Sequence, residues 1–137
     1  MKTKLTTPLL AVLTLMTVLI ASSCKKEKDK MIPPVLQFKT GGAYVYGNVT
    51  VGLGDTILVG VTAEKSEEND PLTRFVATQK YDAGSAATII NESFNQDTYS
   101  KDMNLYMRNV AGTETYTFTI INRDGLTTTK TIVITVM

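Results

Sequence analysis

Few side chains in this sequence can do covalent or acid–base chemistry. Cysteine occurs once, at Cys24, and histidine and tryptophan do not occur at all. Their absence removes the usual zinc ligands and the usual general base near neutral pH. Serine and carboxylate side chains remain, but no Gly-x-Ser-x-Gly segment is present and no spacing sets two carboxylates across a cleft. No catalytic residue, metal site or cofactor is expected from such a set, and the chain reads as a non-enzyme.

Two other groupings carry milder chemistry. Glu64, Glu67, Glu68 and Asp70 can offer oxygen ligands to calcium. The Asp-x-Asp-x-Asp-Gly pattern is absent and Lys65 sits among them, which favours a solvated loop. Tyr44, Tyr46, Tyr81, Tyr99 and Tyr106 can supply a stacking platform for sugars. Tyr44 and Tyr46 face one way by strand period alone, so packing in the core or at an edge is the simpler reading.

The setting of Cys24 gives it a sharper meaning. Lys2 and Lys4 precede an apolar run from Leu9 to Ala21 interrupted only by Thr14 and Thr17, and the run ends in Ala21, Ser22 and Ser23. A charged start, a short apolar stretch and small residues before a cut are the parts of a secretory leader. Its 13 apolar-region residues span only about 20 Å as a helix, short of the ~30 Å hydrocarbon core, so a permanent membrane span is the weaker reading. A lone cysteine at that junction has no core to enter, which sets attachment chemistry against the alternative of an idle thiol. Lys25 to Lys30 then form a mixed-charge run that leads into Met31-Ile32-Pro33-Pro34, and the stretch reads as a solvated spacer.

Ala21-Ser22-Ser23-Cys24 resembles the lipobox of bacterial lipoproteins, with Ala21 where the commonest box has Leu, a relaxed form similar to that of Bacteroidota. The resemblance implies that the thiol of Cys24 takes diacylglycerol, that the leader is cut before it, and that the new amino group is acylated. Several acyl chains make membrane attachment stable where one is marginal. The expected organisation is a leader over 1–23, the lipidated cysteine and spacer over 24–34, and a folded body over 35–137. The expected place is the cell envelope, on an outer-membrane lipoprotein facing the periplasm or the cell surface. Asp55-Thr56-Ile57 resembles the short O-glycosylation acceptor of Bacteroidota, while Gly54-Asp55 also reads simply as a turn opening a strand. Loss of Lys2 and Lys4 leaves 12 basic against 13 acidic residues, no field for nucleic acid.

The elements that position these residues read as strands. Over Thr113 to Asn122 the threonines 113, 115, 117 and 119 take one face and Tyr116, Phe118 and Ile120 the other. Asp124-Gly125 follows, and then a second β-branched run to Val136, which predicts a hairpin. Tyr44 to Val51, Thr56 to Ala63 and Leu72 to Tyr81 read as further strands, the last with a bulge because Leu72, Phe75 and Val76 break strict alternation. In the segment 83–108, Ala87 to Ile90 and Met103 to Met107 look strand-like. About seven short strands predict an all-β antiparallel sandwich.

Gly54-Asp55-Thr56, Leu72-Thr73-Arg74-Phe75, and Gly112 to Phe118 followed by Asp124-Gly125 resemble the immunoglobulin-like domains of small Bacteroidota surface lipoproteins, akin to PKD and cadherin sandwiches. The paired cysteines and buried tryptophan of antibody domains are absent. Tyr116 stands where related sandwiches place a tyrosine corner, against the plainer reading of a core tyrosine. The resemblance implies a non-catalytic binding module for a glycan or an envelope protein. The alternative is a structural or adhesive subunit that assembles by strand addition, suggested by a terminal strand ending at Met137.

Overall fold

The computed structural model describes residues 30–137; Cys24, the expected leader over 1–23 and residues 25–29 lie outside them. Eight strands follow in sequence: β1 (Val35–Phe38), β2 (Val49–Val51), β3 (Thr56–Glu64), β4 (Leu72–Tyr81), β5 (Ala87–Gln96), β6 (Thr98–Tyr106), β7 (Gly112–Asn122) and β8 (Thr127–Val136). They form a three-stranded sheet, β1-β3-β6, and a five-stranded sheet, β2-β8-β7-β4-β5. The fold is an all-β sandwich of two sheets, with one strand more than expected.

Alternation in the sequence accounts for the two layers. On β7, Tyr116, Phe118 and Ile120 are buried while the threonines between them are only half-buried. The register sets Tyr116 against Ile132 and Glu114 against Ile134, so Ile132, Ile134 and Val136 of β8 join the same core face. From the opposite sheet Ile57, Val59, Val61 and Ala63 of β3 and Met103 and Leu105 of β6 meet them. Phe38 packs edge-on against Phe118 across the sheets, with ring centres 5.7 Å apart. Outside the core, Thr117 and Thr119 pair through their hydroxyls with Thr131 and Thr129.

The turn after β7 follows the Asp-Gly signal. Gly125 has a φ of 81°, a value that glycine adopts without a steric penalty. Leu126 donates to the Asn122 side chain, and Asn122 in turn donates to Asp70. The bulge expected in β4 is present against β7, where Leu72 pairs with Asn122 and Arg74 with Ile121, and β5 in turn bulges against β4, at Ile89 between the pairs Thr78–Thr88 and Ala77–Ile90.

Three expectations are corrected. Tyr44 to Val51 is not one strand: Tyr44 forms an isolated bridge to Leu58 in the first sheet, and only Val49–Val51 is a strand, in the second. The chain changes sheets between them, so no single ladder can hold both. Because it enters the second sheet in the direction of β8, β2 pairs with β8 in parallel, and the sandwich is not antiparallel throughout. The terminal strand β8 is not an open edge at its end, since Val49–Val51 pair with Ile134–Val136 and Met137 donates to the carbonyl of Val51.

The body also starts before Val35. Glu67 accepts the backbone N–H groups of Lys30, at 2.9 Å, and of Ile32, at 3.0 Å. The Ser66 hydroxyl donates to the carbonyl of Pro33, Thr128 donates to that of Pro34, and Pro34 is buried. The solvated spacer expected over 24–34 is therefore docked from Lys30 onward.

Candidate ligand-binding face on the three-stranded sheet

Because side chains alternate along a strand, the residues of β3 and β6 that do not enter the core stand together on the outer face of the small sheet. The register lays them out in rows: Tyr106 beside Thr56, Asn104 beside Leu58, Asp102 beside Gly60, Ser100 beside Thr62 and Thr98 beside Glu64. Gln37 of β1 extends the row of Thr62, and Val35 that of Glu64.

Gly60 shapes the middle of this face. A Cβ there would lie 2.6 Å from the Tyr44 ring, 2.7 Å from Lys39 Cδ and 2.8 Å from Asp102 Oδ1. Without it, Tyr44 and Lys39 lie directly over the strand. Lys39 Nζ is 2.6 Å from Asp102 Oδ1, the Tyr44 hydroxyl donates to Asp102 Oδ2 at 3.0 Å, and the ammonium sits 5.7 Å from the Tyr44 ring centre. The hydrogen bond from Lys39, aided by Tyr44, holds the Asp102 carboxyl below its ordinary value. The same bond raises Lys39.

From this cluster the face runs one way to Tyr106, whose ring is 72% exposed, and the other way into a shallow open depression between Val35, Gln37, Thr62, Glu64, Thr98 and Ser100. Amide, hydroxyl and carboxylate groups on a rigid sheet, with an exposed ring at one end, can hydrogen-bond a polyhydroxylated or peptide-like chain and stack on an apolar face of it.

The five tyrosines expected as a platform are not brought together. Tyr44 and Tyr106 share the outer face. Tyr99 points into the sandwich, stacked on Phe94 at 4.7 Å and tilted against Phe75 at 4.9 Å, with its hydroxyl donated to Glu92. Burial and the Glu92 carboxylate both raise its pKa. Tyr81 lies under the Arg108 guanidinium, 5.0 Å away, and Tyr46 is exposed on the crossing between sheets.

The four acidic residues diverge in the same way. Glu67 holds the backbone of Lys30 and Ile32, Glu68 uses its carbonyl for Lys65, and buried Asp70 faces Asn122 and the N–H of Asp124. Among the described residues no three carboxylates or other metal-binding side chains converge. Thr56 opens β3 on the surface, and Asp55 accepts the N–H of Gly52 in the turn before it.

A second polar cluster, at the β6–β7 crossing, is not evident from motifs. Glu114 is fully buried; one oxygen accepts the N–H of Arg108, and the other accepts the Tyr116 hydroxyl at 2.6 Å and the Gln79 amide at 3.0 Å. Arg108 Nη2 lies 2.7 Å from Asp82 Oδ2, and Asp82 Oδ1 accepts the N–H of Thr113. The N–H of Thr113 and the guanidinium hold the Asp82 carboxyl low. Burial, then the Glu114 carboxylate, raises Tyr116. Tyr116 is thus a core tyrosine whose hydroxyl serves a side chain two residues away. The signal was there in the sequence: Glu114 falls in phase with Tyr116 and Phe118.

No family model and no curated protein matches this chain. Solved structures resemble it in shape at very low identity. The superoxide reductase (neelaredoxin) from Ignicoccus hospitalis aligns with a TM-score of 0.52 and 8% identity over 77% of this chain and 81% of that one. A Niemann-Pick type C2 protein from the Japanese carpenter ant gives 0.43 and 7%, over 64% and 79% of the two chains, and murine CRIg gives 0.36 and 10%, over 75% and 95%. What the neelaredoxin likeness carries is the fold alone, a two-sheet β-sandwich.

Proposed function

We propose that this protein is a lipid-anchored lipoprotein of the cell envelope, acylated on Cys24, whose sandwich is a non-catalytic binding module for a glycan. The observation that carries the binding reading is the outer face of the small sheet, where Gln37, Thr62, Ser100, Asp102 and Asn104 lie in adjoining rows beside exposed Tyr106. Rigid strands fix such groups without an ordering cost at binding. The leader, the lipobox resemblance and the single cysteine support the anchor. An envelope protein is the other ligand class suited to the same face. A glycan array probed with the chain from Lys25 onward tests the reading: binding lost on Tyr106→Ala supports it, and an empty array together with an empty pulldown from envelope extracts contradicts it.

One observation favours the second reading, a structural or adhesive subunit. The outer edge of β5 ends the five-stranded sheet, and its ten residues include no Lys, Arg or Pro of the kind that block strand addition. Against this reading stand the inward-facing Glu92, 2.5 Å from Lys101, and the bulges of β5 against β4, both of which hinder strand addition. Sedimentation of a strict monomer at high concentration argues against this reading.

A further inference from the structure

The docked segment fixes which end of the sandwich lies nearest the anchor. β1 begins opposite Glu64, and the residues before it are held by Glu67, Ser66 and Thr128. The β3–β4 loop, the β5–β6 turn at Asp97 and the β7–β8 turn share that end, because Leu72 pairs with both Gln96 and Asn122. Lys65 ties two of these connections together through Asp97 at 2.7 Å and the carbonyl of Glu68. At the opposite end Leu53, Tyr106, Val110 and Met137 are exposed around the 52–55 and 107–111 loops, which are joined by hydrogen bonds from Gly54 to Arg108 and from Met107 to Asp55.

Between Cys24 and Lys30 lie only residues 25–29. The six steps from Cys24 to Lys30 reach about 22 Å at full extension, less than the ~33 Å length of a ten-residue strand. The sandwich therefore cannot turn end for end above a bilayer while residues 30–34 stay docked.

We propose that Glu67 is an anchor clasp: by holding the N–H groups of Lys30 and Ile32 it sets the β3–β4, β5–β6 and β7–β8 turns toward the lipid surface. The end bearing Leu53, Tyr106 and Val110 then points away from it. The orientation rests on the lipid-anchored reading above, while the clasp is a property of the folded body and stands apart from it.

Two measurements on the full chain separate these claims. In detergent, trypsin should cut after Lys25, Lys26 and Lys28 at least about tenfold faster than after Lys30, and Glu67→Ala should remove that difference, since a carboxylate accepting two backbone N–H groups is a strong lock. Equal wild-type rates at Lys28 and Lys30 overturn the clasp. In liposomes containing a lipid-borne quencher, a fluorophore on Asn69→Cys should be quenched several-fold more than one on Val110→Cys, and Glu67→Ala should narrow the gap. Equal or reversed quenching overturns the orientation. No quenching at either site, with Cys24 itself open to labelling, overturns the anchor and with it the orientation, but leaves the trypsin result for the clasp intact.

Discussion

Gly60 and Tyr44 are fitted to each other: the strand carries no side chain at the one place where the tyrosine ring crosses it, and a Cβ there would come within 2.6 Å of that ring. Gly60→Ala should push Tyr44 and Lys39 off the face and open the contacts of both with Asp102. Because the atoms that must move belong to side chains, the cost should stay at about 1–2 kcal/mol, read as a lower urea midpoint with an unchanged slope. An unchanged midpoint with the Tyr44 to Asp102 bond intact contradicts the fit.

Glu114 is the most demanding group in the interior. Glu114→Ala leaves the Tyr116 hydroxyl and the N–H of Arg108 without their acceptor, leaves the Gln79 amide only the Tyr116 oxygen, and takes a carboxylate from beside Arg108. The expected loss is about 3–5 kcal/mol in chemical denaturation. Glu114→Gln keeps one acceptor and should cost clearly less. Equal small losses in both variants contradict a network centred on this residue.

The alternation that made β3, β7 and β8 legible in the sequence fails in β5, and the reason is physical. β5 is an edge strand whose inward positions are half-buried, and one of them, Glu92, is a carboxylate matched to Lys101 and Tyr99 across the sandwich flank. A charged pair at a core-facing position hides the apolar period, so only Ala87 to Ile90 of a strand reaching Gln96 stands out. The site was partly legible in the same sense. Tyr44 and Tyr106 are visible as aromatics, but Lys39, Gly60 and Asp102 meet only through the register of three strands far apart in sequence. The docking of Lys30 to Pro34 could not be read from composition, because the lock is a backbone contact to Glu67.

Stability should be insensitive to pH across neutrality and fail in acid. Asp82, Glu92 and Asp102 are held below their ordinary values: Asp82 by the N–H of Thr113 and then Arg108, Glu92 by Lys101 and then Tyr99, Asp102 by Lys39 and then Tyr44. A depressed folded pKa gives stability that is present above the unfolded value, 3.8 for Asp and 4.5 for Glu, and lost as pH falls through the folded one. With no histidine in the chain, no side chain of ordinary pKa titrates between about pH 5 and 8. The thermal midpoint should therefore be flat over that range and drop below about pH 4. A steady fall from pH 7 to pH 5 contradicts this assignment.

Loss of the exposed ring should affect binding and spare folding. Tyr106→Ala removes a side chain that is 72% exposed, so the urea midpoint should shift by no more than about 0.5 kcal/mol. Glycan capture should weaken about tenfold, the size expected for one stacking contact. Capture unchanged in both Tyr106→Ala and Asn104→Ala places the ligand elsewhere.

The proposed anchor on Cys24 is tested most directly by metabolic labelling with palmitate, comparing the wild-type chain with Cys24→Ala. The account requires label in the wild type and none in the variant, which should also stay at the length of the uncut precursor. Equal label in both chains contradicts it.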